Sequence, residues 1–132
     1  MAARGLRNNN PGNIRLGSTR FQGEIKGIDK SFKTFSSAGY GYRALIKTLQ
    51  TYQDKYHLMT IRGMIGRWAP GNENNTAAYV AVVSKKSGYG RDQSVSMHDR
   101  VVALRIAAAI SEVENGKAAN SGDLMNGWEL LQ

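Results

Sequence analysis

The chain has no cysteine, two prolines and two histidines among its 132 residues. Without cysteine there is no disulfide, no thiolate nucleophile and no thiolate-bound metal cluster. His57 and His98 are too few for a histidine-rich metal site, which nearly excludes a zinc amidase or metalloprotease on ligand supply alone. A G-x-S-x-G turn is missing, and neither histidine has an evident serine and aspartate partner, so a serine hydrolase is disfavoured. No apolar run is long enough to span a membrane, and the first ten residues lack the apolar core of a signal peptide. Acidic residues are scarce too: ten Asp and Glu stand against 18 Lys and Arg, for a net charge of +8. That balance draws a protein to polyanions such as nucleic acid, acidic membrane or a phosphate-rich cell envelope. It is equally the mark of a plain solvated basic surface.

What is present suits one domain with one core: 41% of residues are hydrophobic, and the length leaves no room for a second core. Residues 4–15, which contain GLRNNNPGNIR, read as loop around Pro11-Gly12, rich in asparagines that tolerate left-handed backbone. Alternating residues across 20–36 predict a small β-hairpin lobe. Helical spacing of Tyr42, Leu45, Ile46, Leu49, Tyr52 and Tyr56 predicts a helix over 39–56. Thr60 caps a shorter helix that Pro70 closes, and Gly88 ends another running over 77–86. Asp99 starts a helix through Glu114 that Asn115-Gly116 stops, and a last short helix covers 123–131. The fold class expected is α+β, mainly α, with the helical part spanning 39–131.

The ten carboxylates can be weighed one by one. Asp99 and Asp123 suit helix starts, and Asp29 beside Gly27 suits a turn. Glu112 falls on the side of Arg105 and reads as a solvated charge. Glu114 differs, because it continues the apolar stripe Ala103, Ile106, Ala107, Ile110 at the helix end. Partial desolvation and the negative end of the helix dipole both disfavour its charged form, which is what a general acid needs in order to protonate a glycosidic oxygen. The plainer alternative is a carboxylate that only bonds a neighbouring backbone group or arginine.

IAAAISEVENG, residues 106–116, resembles the helix-end glutamate signature of lysozyme-like peptidoglycan enzymes, the lytic transglycosylases and flagellar-type glucosaminidases. Asn10 with Ile14, Phe21-Gln22-Gly23, FKTFSSAGYGYRAL (32–45) and NNTAAYVAVV (74–83) are similar to successive pieces of the glucosaminidase pattern. The order departs from that family, which places the glutamate helix before the asparagine segment. The resemblance therefore implies a circularly permuted lysozyme-like domain in which Glu114 and the Asn-rich segment meet in space. Permutation is physically plausible because the termini of a domain often lie close together. GLRNNNPGNIR and IGRWAPGNENNTAAYV (65–80) also resemble a family of small phage-derived proteins that carry structural labels and are linked with cell-wall degradation.

The resemblance implies cleavage of the β-1,4 glycan of peptidoglycan, with Glu114 as general acid and Glu24 as a second carboxylate on the hairpin. Asn10, Asn13, Asn74 and Tyr79 become candidate saccharide contacts. Trp68, Tyr40 and Trp128 offer further aromatic faces, although aromatics at helical spacing are more often core. No metal and no cofactor is called for. The expected partners are peptidoglycan and the anionic bacterial envelope, with no specific nucleic acid, no membrane insertion and a monomeric state. Synthesis in the cytoplasm with delivery by a holin, a virion or an injection apparatus goes with that reading. Two rivals stand beside it. A non-catalytic virion component would keep such a shell, since fold does not imply function. A basic nucleic-acid binder is supported by charge alone and lacks a recognition-helix, zinc-finger or RNA-aromatic pattern.

Overall fold

A computed structural model describes residues 2–132, with the backbone alone for Glu73 and Asn74. The protein is mainly helical. Among the described residues the elements run α1 (Arg4–Arg7), β1 (Glu24–Ile25), β2 (Thr34–Phe35), α2 (Ala38–Tyr56), α3 (Ile61–Trp68), α4 (Glu73–Ser87), α5 (Arg100–Asn115) and α6 (Ser121–Glu129). The two strands form one antiparallel hairpin pairing Glu24 with Phe35 and Ile25 with Thr34. No helix among the described residues is long and apolar enough to cross a membrane.

Helix starts follow side-chain chemistry. Ser37, Thr60, Asp99 and Asn120 each accept a hydrogen bond from a first-turn amide of α2, α3, α5 and α6, a device worth about 1 kcal/mol each. The last of these caps begins α6 at Ser121, two residues before the start expected at Asp123. Likewise Asn72 accepts from the amide of Asn75, and α4 opens at Glu73 rather than after Thr76. Gly116, with φ of 67°, ends α5 in the left-handed turn that Asn-Gly predicts. Residues 4–7, expected to be loop, form the single turn α1.

α2 is the central strut, packed against α6, α3, α5 and β2, while α4 lies between α3 and α5. Leu45, Ile46 and Leu49 of α2 are fully buried with Ile61, Met64 and Ile65 of α3 and Ala103, Ile106, Ala107 and Ile110 of α5. Each such Leu or Ile contributes about 1.5–3 kcal/mol by leaving water. Polar side chains complete the frame. The buried amides of Gln50 and Gln53 bond the backbone of Val95 and Met97, fixing the segment that leads into α5. The Tyr42 hydroxyl meets Ser111 Oγ at 2.8 Å between α2 and α5. The glutamine bonds thus fix the approach to α5, and the Tyr42–Ser111 bond ties its C-terminal half, three residues before Glu114, to α2.

Candidate functional site

Loop 8–15 is shaped by its asparagines. Asn10 is fully buried. Its Nδ2 donates to the carbonyls of Ile14 and Lys33, and its Oδ1 accepts from the Ile14 amide. Asn8 donates to Asp29 and Asn9 to the Phe35 carbonyl, so the loop is stitched to the hairpin. Asn9 and Asn13 take left-handed backbone with φ of 52° and 49°, a conformation asparagine tolerates best among residues with a side chain. Gly41 of α2 lets the loop seat directly, because a Cβ there would collide with the Asn9 carbonyl.

The seating carries Asn13 to the end of α5. Asn13 Nδ2 donates to Glu114 Oε1 at 2.9 Å, and the next residue along α5, Asn115, donates to the Pro11 carbonyl at 2.9 Å. The Tyr79 hydroxyl of α4 donates to Glu114 Oε2 at 2.8 Å. Trp68 Nε1 at the end of α3 donates to the Tyr79 oxygen at 3.2 Å. An indole N–H is only a donor, so it leaves the Tyr79 hydrogen for Glu114 and fixes the direction of the chain. Burial, followed by the charge of Glu114, pushes the Tyr79 hydroxyl far above the usual phenol range, which keeps it a proton donor.

Glu114 lies on the wall of a cleft of about 460 Å³. Asn13, Arg15, Phe32, Tyr52, Arg67 and Trp68 are among the other lining residues. Loop 8–15, the hairpin, α2, α3 and the end of α5 thus converge on one carboxylate.

The residues singled out from sequence divide. Glu114 and Asn13 share the cleft, and Tyr79 reaches Glu114 from α4. Trp68 presents its ring to the cleft, with Gly12 packed so closely that a Cβ there would lie 2.9 Å from it. Asn10 is the correction: its amide is spent on Ile14 of the loop and Lys33 of the hairpin and the side chain is inaccessible, so it builds the site's wall instead of facing the cleft. Glu24 is also placed elsewhere. Both its oxygens accept from the buried Lys33 ammonium and Oε1 accepts from the Phe21 amide, and it is not among the residues lining the cleft. The side chain of Asn74 lies outside the described residues. Glu112, read as a solvated surface charge, pairs with Lys86. Asp29 is the turn residue expected, accepting from the amides of Ser31 and Phe32, and it also clamps Arg4.

Sequence reasoning missed Arg15, Arg67, Phe32 and Tyr52 as cleft residues. Arg15 stands two positions after Asn13 and Arg67 just before Trp68, so proximity to residues already singled out was the available signal.

The site therefore defines a mainly helical protein whose cleft holds one carboxylate, fixed by donors from two other elements. Over 119 residues the chain is 43% identical to protein P5 of Pseudoalteromonas phage PM2, a match spanning 87% of this chain and 72% of that protein. The chain belongs to the family of that phage protein. No protein-family profile matches it.

Proposed function

We propose that the protein is a peptidoglycan-cleaving glycosidase of lysozyme-like, circularly permuted design, with Glu114 as its general acid. The observation that carries this reading is the meeting of Glu114 with Asn13 at a cleft, the juxtaposition a permuted domain requires. Kinship with a phage protein is compatible with it. In this reading Glu114 gives a proton to the glycosidic oxygen as the bond to the anomeric carbon breaks, with Asn13 and Tyr79 holding the carboxyl in place. The oxocarbenium-like centre is captured by water or by the sugar's own 6-hydroxyl, whose proton passes to the Glu114 carboxylate and restores the acid; the intramolecular route needs no second carboxylate. Glu24, committed to Lys33, serves the hairpin in this scheme rather than the reaction. The net charge of +8 would hold the enzyme on an anionic envelope, so clearing should weaken at high salt.

The test is loss of turbidity of purified sacculi by the wild type and by Glu114→Gln, matched for folding by circular dichroism. Clearing by the wild type alone supports the acid role. Equal clearing by both removes Glu114 from it.

One observation favours a second reading, a non-catalytic virion component. Both oxygens of Glu114 are engaged by internal donors, as a carboxylate that merely ties α5 to α4 and the loop would be. A wild type that clears no sacculi supports that reading.

A further inference from the structure

Arg15, Arg67 and Glu114 are the charged residues that line the cleft among the described residues, and their engagement is unequal. Both Glu114 oxygens are taken by Asn13 and Tyr79. Arg15 and Arg67, by contrast, have no carboxylate partner among the described residues. Each guanidinium lies over aromatic rings instead: Arg15 is 5.0 Å from the centre of Phe32, and Arg67 is 3.7 Å from Tyr56 and 5.4 Å from Tyr52. Arg62 shows the other way an arginine is used here, with its fork spent on Asp92, while Arg4 does both, lying 4.6 Å from the centre of Phe32 with its fork on Asp29. Stacking holds a guanidinium by its face and leaves its edge N–H groups available for a planar anion, the geometry arginine uses for carboxylates. A side chain already ordered by stacking also loses less entropy when it binds. A neutral sugar chain can offer these positions only hydroxyl acceptors, whereas a strand carrying pendant carboxylates offers charge-assisted pairs.

We propose that Arg15 and Arg67 select a β-1,4 glycan bearing carboxylates over an uncharged strand of the same backbone. The inference rests on the glycan-cleaving reading for its choice of ligand. Two sources offer the same chemistry: the lactyl ether on the sugar and the peptide attached to it.

The test measures affinity of the full-length Glu114→Gln protein at low salt for three strands of equal length. These are stem-bearing peptidoglycan strands, amidase-stripped strands with free lactyl carboxylates, and chitin oligosaccharides. Affinity for the acidic strands is expected to exceed that for chitin about tenfold, with Arg15→Gln and Arg67→Gln each removing three- to fivefold, the scale of an exposed ion pair. Lys85→Gln with Lys117→Gln removes two charges that do not line the cleft and should leave the preference intact. A preference confined to stem-bearing strands assigns the carboxylate to the peptide; one confined to the stripped strands, whose lactyl carboxyl is no longer amidated, assigns it to the lactyl group; equal binding of both acidic strands means that the two arginines accept either carboxylate. Equal affinity for chitin, a preference that persists in the double arginine variant, or its loss in the lysine pair would overturn the proposal. Cleavage by the wild type is scored on the same strands. A carboxylate preference without any cleavage removes the enzymatic reading and leaves the binding inference standing.

Discussion

Asn13 and Glu114 stand 101 positions apart and are joined by a 2.9 Å hydrogen bond from the amide Nδ2 to the carboxylate Oε1. The bond closes the chain on itself, bringing the Asn-rich segment near one end to the last turn of α5 near the other. The Asn115 side chain doubles the contact through the Pro11 carbonyl. Removing either partner affects both the loop's seat and the carboxylate's aim, so experiments on this site need substitutions that separate the two.

Tyr79→Phe is such a substitution. It keeps the ring packed and deletes only the donor to Glu114 and the acceptor for Trp68. Stability should fall by about 1 kcal/mol, and under the proposed acid role of Glu114 clearing of sacculi should drop by about ten- to a hundredfold, the range for a lost positioning contact at a reacting group. The pH–rate profile should move as well. An unchanged rate and profile would mean that Tyr79 only fills space.

The carboxylates Glu24 and Glu114 should behave oppositely. Glu24→Gln leaves the Lys33 ammonium buried without its counter-charge, a loss of about 3 kcal/mol by the usual cost of breaking a buried pair. Under the proposed glycosidase function the folded fraction should nevertheless clear sacculi as the wild type does. Urea denaturation paired with the turbidity assay checks both halves. A stable but inactive Glu24→Gln protein would return Glu24 to the reaction.

Asn10→Ala should unfold the loop rather than weaken substrate binding. Three hydrogen bonds vanish: the buried Lys33 carbonyl and the Ile14 amide lose the partner that Asn10 supplies, while the Ile14 carbonyl keeps the Lys33 amide, for a destabilisation of about 2–4 kcal/mol. A fall in melting temperature with unchanged KM in the folded protein is expected. The reverse pattern would make Asn10 a substrate contact after all.

Asp29 ties α1 to the hairpin through Arg4, Asn8 and the amides of Ser31 and Phe32. The Arg4 hydrogen bonds come first among the causes that hold its carboxyl well below the usual carboxylate range. A depressed folded value contributes stability above the unfolded value near pH 4 and loses it as the pH falls below that toward the folded one. Wild-type stability should therefore decline from about pH 4 downward more steeply than that of Asp29→Asn, measured by urea unfolding between pH 2.5 and 6. Parallel curves would remove Asp29 as the source.

The residue pattern carried the helices, because amphipathic spacing and capping chemistry are local. Ser37, Thr60, Asp99 and Gly116 act within one turn of where they stand, and the buried stripe of α5 lies on the residues its periodicity marks. Glu114 was legible for the same reason, as the polar continuation of that stripe. The single turn α1 was not, because it is too short to show a period and owes its place to Arg4 and Asp29, 25 positions apart. Nor could local pattern tell Asn10 from Asn13. Both are asparagines of one loop; burial against the Lys33 carbonyl spends the first amide, and a left-handed backbone turns the second toward Glu114. The partner of Glu24 and the stacking of Arg15 and Arg67 were likewise decided by packing between distant segments, since a charge's role depends on what the fold leaves beside it.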